Sequence, residues 1–112
     1  MKKIEAIVRP DKLAAIRDAL ARYNIKGMTL SDCLGCGRQK GYTGVSRGRE
    51  FAVSLLPKVK LEVVVTDDYV EEVVDIIITH GRTGEVGDGK VFVLAVEEAY
   101  RIRTGETGKS AL

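Results

Sequence analysis

A glycine-rich segment before residue 93 carries the residue types best suited to binding an anion. From Thr83 to Val93 the chain reads Thr-Gly-Glu-Val-Gly-Asp-Gly-Lys-Val-Phe-Val. Glycine allows successive backbone amides to point together into a concave nest for an anion, and a neighbouring lysine adds a point charge. The segment therefore predicts a loop that holds phosphate groups.

The same segment resembles a nucleoside-triphosphatase P-loop only in part. The spacing of Gly84, Gly89 and Lys90 fits the pattern Gly-x4-Gly-Lys. However, Val91 stands where a serine or threonine would hold magnesium, and the β-branched residues that follow favour a strand where a P-loop needs a helix. A second near-match, Gly105–Ser110, lies too close to the end of the sequence to build that helix. The loop is thus predicted to bind phosphates without being the P-loop of a hydrolase.

Catalytic and metal-binding interpretations have weaker support. The sequence contains one histidine, His80, at the end of a predicted helix, so no Ser-His-Asp or Cys-His set can be assembled around it. Cys33 and Cys36 form a lone Cys-x-x-Cys, whereas structural zinc needs four ligands, and we interpret them as two small structural residues. Helix N-terminal charge and a solvated face explain the carboxylate pairs Asp67/Asp68 and Glu71/Glu72, and a strand exit explains Glu97/Glu98. We therefore predict that the chain is not an enzyme.

Basic residues at predicted strand ends and in glycine-rich segments support anion binding. Arginine forks and lysine charges suit a polyphosphate, especially beside backbone amides. An ordinary solvated basic surface is the alternative. The residues concerned are Arg38, Lys58, Lys90, Arg101 and Arg103.

Length and composition indicate one globular domain, residues 1–112, with 45% hydrophobic and 30% charged residues. A formal charge of +2 with both signs mixed gives no case for nucleic-acid binding. No apolar run approaches the roughly 20 residues needed to span a membrane, and the charged start is not that of a signal peptide. We expect a cytoplasmic protein.

Hydrophobic periodicity predicts the elements that must position these residues. Alternating and Val-rich stretches indicate strands, and apolar stripes that begin at Pro10 and at Asp67 indicate two helices. The order is strand, helix, strand, long loop, strand, helix, strand, which predicts an α+β, ferredoxin-like βαββαβ sandwich. The predicted strands are Lys2–Val8, Met28–Gly35, Lys58–Val65 and Lys90–Val96.

Two further features point to oligomeric and regulatory behaviour. The segment Gly37–Ser54 is long, glycine-containing and basic, and a loop of that length inside a compact domain is usually functional. A sheet with helices on one side also leaves a face to be covered, which homo-oligomerisation would do. We expect apolar residues on both faces of the sheet, namely Ile4, Val8, Leu61, Val63, Val91 and Val93.

Several separate motifs, in order along the whole chain, resemble the PII nitrogen-regulatory signal transduction proteins. Thr83–Val93 and Arg101–Gly108 are similar to that family's C-terminal signatures. Gly37–Gly41 and Leu56–Lys60 match the two borders of its long T-loop. The resemblance implies a homotrimer of ferredoxin-like subunits with a T-loop at 37–54, a phosphate-binding loop at 82–90 and a C-terminal loop at 101–109.

The resemblance also implies ligands and site residues. Such proteins bind ATP or ADP in the clefts between neighbours and, with Mg-ATP bound, take up 2-oxoglutarate. By resemblance, Gln39 would help to ligate Mg²⁺ and Lys58 would pair with a carboxylate of the oxoacid. The nucleotide residues implied are Thr29, Glu62 and Val64 at the adenosine end, and Arg38, Gly87, Asp88, Gly89, Lys90, Arg101 and Arg103 at the phosphates.

The arm at 37–54 departs from the family pattern. Many relatives are uridylylated on the last residue of Tyr-Arg-Gly-Ala-Glu-Tyr, but here the aligned residues end in Phe51, which has no hydroxyl. The serine phosphorylated in cyanobacterial relatives aligns with Arg49. Tyr42 and Ser46 stay open as acceptors, and control by ligand alone is the prediction. Arg47 is retained, and its counterpart in some relatives enters the cytoplasmic mouth of an ammonium channel.

The resemblance therefore implies a nitrogen, carbon and energy-status sensor that contacts an ammonium transporter or nitrogen-metabolism enzymes, and reaches the membrane only through such a channel. A variant that regulates nitrogenase or carbon metabolism is the closest alternative. A small nucleotide-dependent enzyme and an oligomeric scaffold without ligands are the alternatives from other classes.

Overall fold

A computed structural model describes residues 1–25, 27–36, 42–46, 49–53 and 55–112, with no side chains described for 42–46 and 49–53. Two helices and six strands form the described chain, and short 3-10 turns at Pro10–Lys12 and Asp67–Tyr69 lead into the helices. Their bounds are β1 Lys2–Val8, α1 Leu13–Arg22, β2 Thr29–Gly35, β3 Tyr42–Ser46, β4 Arg49–Val53, β5 Leu56–Val65, α2 Val70–Gly81 and β6 Lys90–Ala95.

Four of the strands form one antiparallel sheet in the order β2-β5-β1-β6. The helices α1 and α2 follow β1 and β5 and contact each other. Two β-α-β halves with this strand order make the ferredoxin-like βαββαβ fold, as the sequence predicts. Among the described residues, no helix is both long and apolar enough to cross a membrane.

The core lies between the sheet and the two helices. Because side chains alternate along a strand, every second residue of β1 and β5 faces the helices. These side chains pack against the apolar stripes of α1 and α2. Gly81 at the end of α2 permits close contact, because a Cβ there would lie 3.3 Å from Ile16 Cδ1. The largest fully buried side chains are Ile4, Ile16, Leu20, Leu61, Val73 and Ile77.

The expectation of apolar residues on both sheet faces is wrong, because the six residues named lie on one face, with Val91 opposite Ala6 and Val93 opposite Ile4. Ile4, Val8, Leu61 and Val63 are all buried in the core under the helices. Val91 also packs against that core, while Val93 is about half exposed. The alternation within one strand does not state which residues of the other strands share its face, because that depends on the pairing register.

The open face of the sheet instead carries a row of ion pairs. Lys3 of β1 contacts Glu62 of β5, and its Nζ also lies 3.7 Å from Glu5 Oε2. Glu5 in turn lies 3.9 Å from Lys60 Nζ. Hydrogen bonding from Lys3 lowers the pKa of Glu62, which keeps that carboxylate ionised. This face is therefore polar at its centre.

The arm contains an antiparallel pair of strands that the sequence does not predict. Strand β3 pairs with β4, and in this register Tyr42 lies opposite Val53 and Gly44 opposite Phe51. Glycines and charges interrupt the apolar period here, so a loop was expected. The predicted arm residues Arg38, Gln39 and Arg47 lie outside the described residues.

Candidate functional site

The predicted phosphate loop connects α2 to β6 and has an unusual backbone. Gly84, Gly87 and Gly89 have φ angles of 90°, 105° and 94°, a region that side chains with a Cβ rarely adopt. A Cβ on Gly89 would lie 1.7 Å from the carbonyl oxygen of Ile7. The loop is therefore seated directly on the end of β1, and glycine at this position is a steric requirement.

The carboxylate of Asp88 closes the loop upon itself. Its Oδ1 accepts hydrogen bonds from Thr83 Oγ1 at 2.5 Å and from Arg9 Nε at 2.9 Å. Its Oδ2 accepts from the backbone amides of Thr83 and Gly84, both at 2.9 Å. The Thr83 hydroxyl above all, with Arg9 and the two amides, holds the pKa of Asp88 well below its usual range against an opposing effect of burial. The side chain is thus occupied in shaping the loop.

Arg9 is a site residue that the sequence does not reveal. Besides Asp88, its guanidinium reaches Val86, whose carbonyl oxygen accepts from Nη2 at 3.0 Å. These partners lie 77 and 79 positions away along the chain, so no local pattern connects them. Arg9 fastens the loop to the end of β1 and neutralises the charge of Asp88.

Lys58 of β5 holds the loop from the sheet side. The side chain is 6% exposed, and its Nζ donates to the carbonyl oxygen of Gly87 at 2.5 Å. Burial, with the nearby charge of Arg9, lowers the pKa of Lys58, whereas Asp88 and Cys33 oppose that shift. Gly35 leaves space for the lysine, because a Cβ there would lie 3.1 Å from Lys58 Cγ.

Lys58 and the loop residues from Glu85 to Lys90 border a cleft of about 680 Å³, here called the loop cleft. The structure brings five of the predicted site residues to it: Lys58, Gly87, Asp88, Gly89 and Lys90. Ile7 and Phe92 supply apolar walls, and Cys33 to Cys36 form the margin at the end of β2. Three lysines, Lys58, Lys60 and Lys90, also line this cleft, whereas the carboxylate of Asp88 is occupied by its own hydrogen bonds.

The other described site residues lie elsewhere. Thr29, Glu62 and Val64 line a second cavity of about 560 Å³ together with Lys3 and Leu112, here called the sheet-end cavity. Leu112 also links Arg101 to this region, because its carbonyl oxygen accepts from Arg101 Nη2 at 2.9 Å. A second bond joins Arg101 Nη1 to Glu106 Oε1 at 3.2 Å. Arg103 follows on the same loop and is exposed.

The two groups lie at opposite ends of β5. Glu62 is four residues and Val64 six residues beyond Lys58, which corresponds to about 13 Å and 20 Å along an extended strand. One chain therefore does not bring all the predicted nucleotide residues into a single pocket. Of the described ones, Gly87, Asp88, Gly89 and Lys90 form a loop-cleft group, and Thr29, Glu62 and Val64, with Arg101 joined through Leu112, form a sheet-end group.

The fold and the loop define a ferredoxin-like βαββαβ protein with a glycine-rich loop before its last strand. Residues 1–106 match the family described as Nitrogen regulatory protein P-II, and the chain belongs to that family. It is 54% identical to the Nitrogen regulatory protein P-II of Klebsiella oxytoca, 53% to the Nitrogen regulatory protein P-II 1 of Escherichia coli strain K12 and 50% to the Nitrogen regulatory protein P-II of Cereibacter sphaeroides. Each of these alignments covers 112 residues and the whole of both chains.

Membership of the family confirms two predictions from the sequence. The resemblance to PII proteins is correct, and the chain is a nitrogen-regulatory signal transducer and not an enzyme. The small nucleotide-dependent enzyme is therefore set aside as an alternative.

Proposed function

We propose that this protein senses ATP or ADP and, together with Mg-ATP, 2-oxoglutarate, and that it regulates nitrogen-metabolism proteins through its arm at 37–54. The observation that carries the proposal is the loop at 82–90. Three of its glycines have positive φ, Asp88, Arg9 and Lys58 fasten it, and Gly87, Gly89 and Lys90 line an open cleft.

Phosphate binding is supported by the charge balance of the loop cleft. Four hydrogen bonds occupy Asp88, and Arg9 neutralises it, so its negative charge opposes a phosphate only weakly. Gly87 and Gly89 carry no side chains that would block the approach of a ligand to the backbone. We propose that Lys90 supplies a direct charge to the phosphates, with Arg38, Arg101 and Arg103 as further partners.

A site shared between copies follows from the division of the predicted residues. We propose a homotrimer in which the loop-cleft group of one copy faces the sheet-end group of the next. The phosphates would lie at the loop cleft, and Thr29, Glu62 and Val64 of the neighbour would meet the adenosine end. Closed cyclic symmetry then produces the same composite site at each interface.

Binding of 2-oxoglutarate is proposed at Lys58 and Gln39. One hydrogen of the Lys58 ammonium is committed to Gly87, which leaves two donors for a carboxylate. A magnesium ion held by phosphate oxygens and Gln39 would accept the oxygens of the oxoacid as its remaining ligands. Because the oxoacid then needs the metal-nucleotide pair, each ligand raises the affinity of the other.

The shared site can be tested by mixing two inactive variants. We expect Lys90→Ala and Arg101→Ala each to bind ATP much more weakly than the unmodified protein. If random 1:1 trimers are formed from them by unfolding and refolding together, about a quarter of the composite sites should combine two intact halves. Calorimetry should therefore recover about a quarter of the binding sites at the original affinity.

The control is a mixture of Lys90→Ala with a Lys90→Ala, Arg101→Ala double variant, which contains no composite site with two intact halves. Recovery in that control would show that refolding and not complementation restores binding. Absence of recovery in the first mixture would contradict a site shared between copies, even if the unmodified protein binds ATP.

The arm is proposed as the output of the sensor. Phe51 lacks the hydroxyl that uridylylation needs, so ligands alone would set the arm, and Arg47 would contact the partner. An ammonium transporter is the proposed partner, approached from the cytoplasm, so membrane contact would be peripheral and nucleic acid would not be involved. Capture of the transporter by the unmodified protein and by Arg47→Ala, with ATP or ADP present, tests this contact.

A further inference from the structure

Two thiols border the loop cleft, and the proposed function does not use them. Cys33 lies in β2 and is half-buried, Cys36 follows the end of that strand and is exposed, and both are free. Both line the same cleft as Lys58 and Gly87. A Cys-x-x-Cys at this place therefore stands next to the residues that hold the phosphate loop.

Lys58 connects this thiol pair to the loop. It stands opposite Cys33 in the β2–β5 register, and its Cγ lies against Gly35, the residue just before Cys36. From there the side chain extends to the carbonyl oxygen of Gly87. The position of Gly35 between the thiols thus governs the space available to the lysine.

We propose that Cys33 and Cys36 form a reversible dithiol–disulfide modification site, oxidised by low-molecular-weight disulfides, whose closure displaces Lys58 and opens the phosphate loop. The structural part stands on the geometry of β2, β5 and the loop. Only the predicted effect on nucleotide affinity rests on the function proposed above.

Closure requires the end of β2 to leave its extended form. Three extended residues span about 10 Å, whereas the Cα atoms of a disulfide lie about 4.4–6.8 Å apart. The pairs Leu34–Pro57 and Gly35–Leu56 must therefore separate. Pro57 donates no hydrogen bond to the ladder, so this end of the strand is weakly held.

The chemistry is a thiol–disulfide exchange in two steps. The exposed Cys36 thiolate attacks one sulfur of an external disulfide such as oxidised glutathione, whose S–S bond breaks and releases one thiol. The Cys33 thiolate then attacks Cys36 in the mixed disulfide, forms the Cys33–Cys36 bond and expels the second thiol. The protein loses two electrons and two protons, and the external disulfide gains them.

Separation of these pairs moves Gly35 away from β5, so the Lys58 stem loses the backbone against which its Cγ lies. The lysine is then free to leave the loop. Its bond to Gly87 is then lost, and the loop retains only the Arg9 and Asp88 contacts. Oxidation is thus expected to weaken phosphate binding and to expose the Lys58 amine.

The test equilibrates the whole protein in glutathione buffers of graded potential. Intact-mass spectrometry should show loss of two hydrogens per chain without a stable glutathione adduct, reversed by dithiothreitol. Brief acetylation followed by peptide mass mapping should show several-fold faster modification of Lys58 after oxidation, with Lys109 as the unchanged reference. ATP affinity by calorimetry should fall about 10-fold.

The Cys33→Ser, Cys36→Ser double variant should show equal Lys58 reactivity and equal ATP affinity in oxidising and reducing buffers. In Cys33→Ser alone the reaction should stop at the mixed disulfide on Cys36. The Lys58 reactivity of this variant shows what a glutathione adduct does without closure of the Cys33–Cys36 bond. A stable glutathione adduct in the unmodified protein, or a disulfide that leaves Lys58 reactivity unchanged, would overturn the proposal. If the reduced protein binds no ATP but Lys58 responds as expected, the proposed function fails and the thiol site stands.

Discussion

Replacing Gly89 with alanine is expected to lower ATP affinity by about 100-fold or more, because a displacement of about 1 Å in a positioned site can cost that much. The added Cβ would lie 1.7 Å from the carbonyl oxygen of Ile7 and 2.8 Å from its carbonyl carbon. Both atoms belong to the backbone of a paired strand, so they cannot move aside as a flexible side chain would. The loop must therefore lift from β1, which moves Gly87 and Lys90 from their positions in the loop cleft.

The same substitution should also lower the free energy of unfolding by about 2–4 kcal/mol, from a left-handed backbone cost of about 1–3 kcal/mol and the clash. Gly84→Ala is the matched control, since Gly84 has a φ of 90° but open space around its Cβ position. Denaturant unfolding of both variants separates backbone strain from the collision with Ile7. Equal losses of stability and of ATP affinity in the two variants would contradict the steric account.

Asp88→Asn is expected to have the second-largest effect. In the asparagine an NH₂ group takes the place of Oδ2. The backbone amides of Thr83 and Gly84 then face a group that donates hydrogen bonds and cannot accept theirs. Charge-assisted bonds contribute about 1.5–3 kcal/mol each, and we expect a net loss of about 2–4 kcal/mol in the free energy of unfolding. Denaturant unfolding at neutral pH measures it.

The control is Asp67→Asn, because Asp67 pairs with the amino group of Met1 through a side chain that is 70% exposed. Surface pairs of this kind contribute about 0–1 kcal/mol, so little change is expected. A similar small change for Asp88→Asn would mean that its carboxylate does not hold the loop together.

The pH dependence of the Asp88 effect has a defined sign. The folded protein holds the pKa of Asp88 well below its usual range, so the folded state favours the ionised form. The resulting stability is present above the unfolded-state pKa of about 4 and is lost as the pH falls through the folded-state value. The difference in stability between the unmodified protein and Asp88→Asn should therefore be constant at neutral pH and shrink in acid.

Much of the fold follows from local patterns in the sequence. Apolar alternation located β1, β5 and β6 to within two residues, and glycines with a lysine located the phosphate loop. Strand β5 begins at Leu56, two residues before its predicted start, because pairing with the end of β2 extends it through Pro57. No local sequence pattern specifies the order of the strands in the sheet. That order was inferred from the sequence of strands and helices along the chain.

The contacts that shape the site could not be predicted from local sequence patterns, because they join residues far apart in the chain. Arg9 meets Asp88 across 79 positions and Lys58 meets Gly87 across 29, and no spacing rule joins such pairs. The sequence placed Asp88 among the phosphate residues, while the structure turns its side chain into the loop. The sequence alone also does not predict that the described nucleotide residues line two separate cavities.

Titration calorimetry with 2-oxoglutarate tests the sensor most directly. The titration is made on the unmodified protein with Mg-ATP, with ATP and a magnesium chelator, with Mg-ADP and without nucleotide. We predict saturable binding of 2-oxoglutarate with Mg-ATP alone, and its loss in both Gln39→Ala and Lys58→Ala. Binding of 2-oxoglutarate without nucleotide, or binding untouched by those two substitutions, would contradict the account.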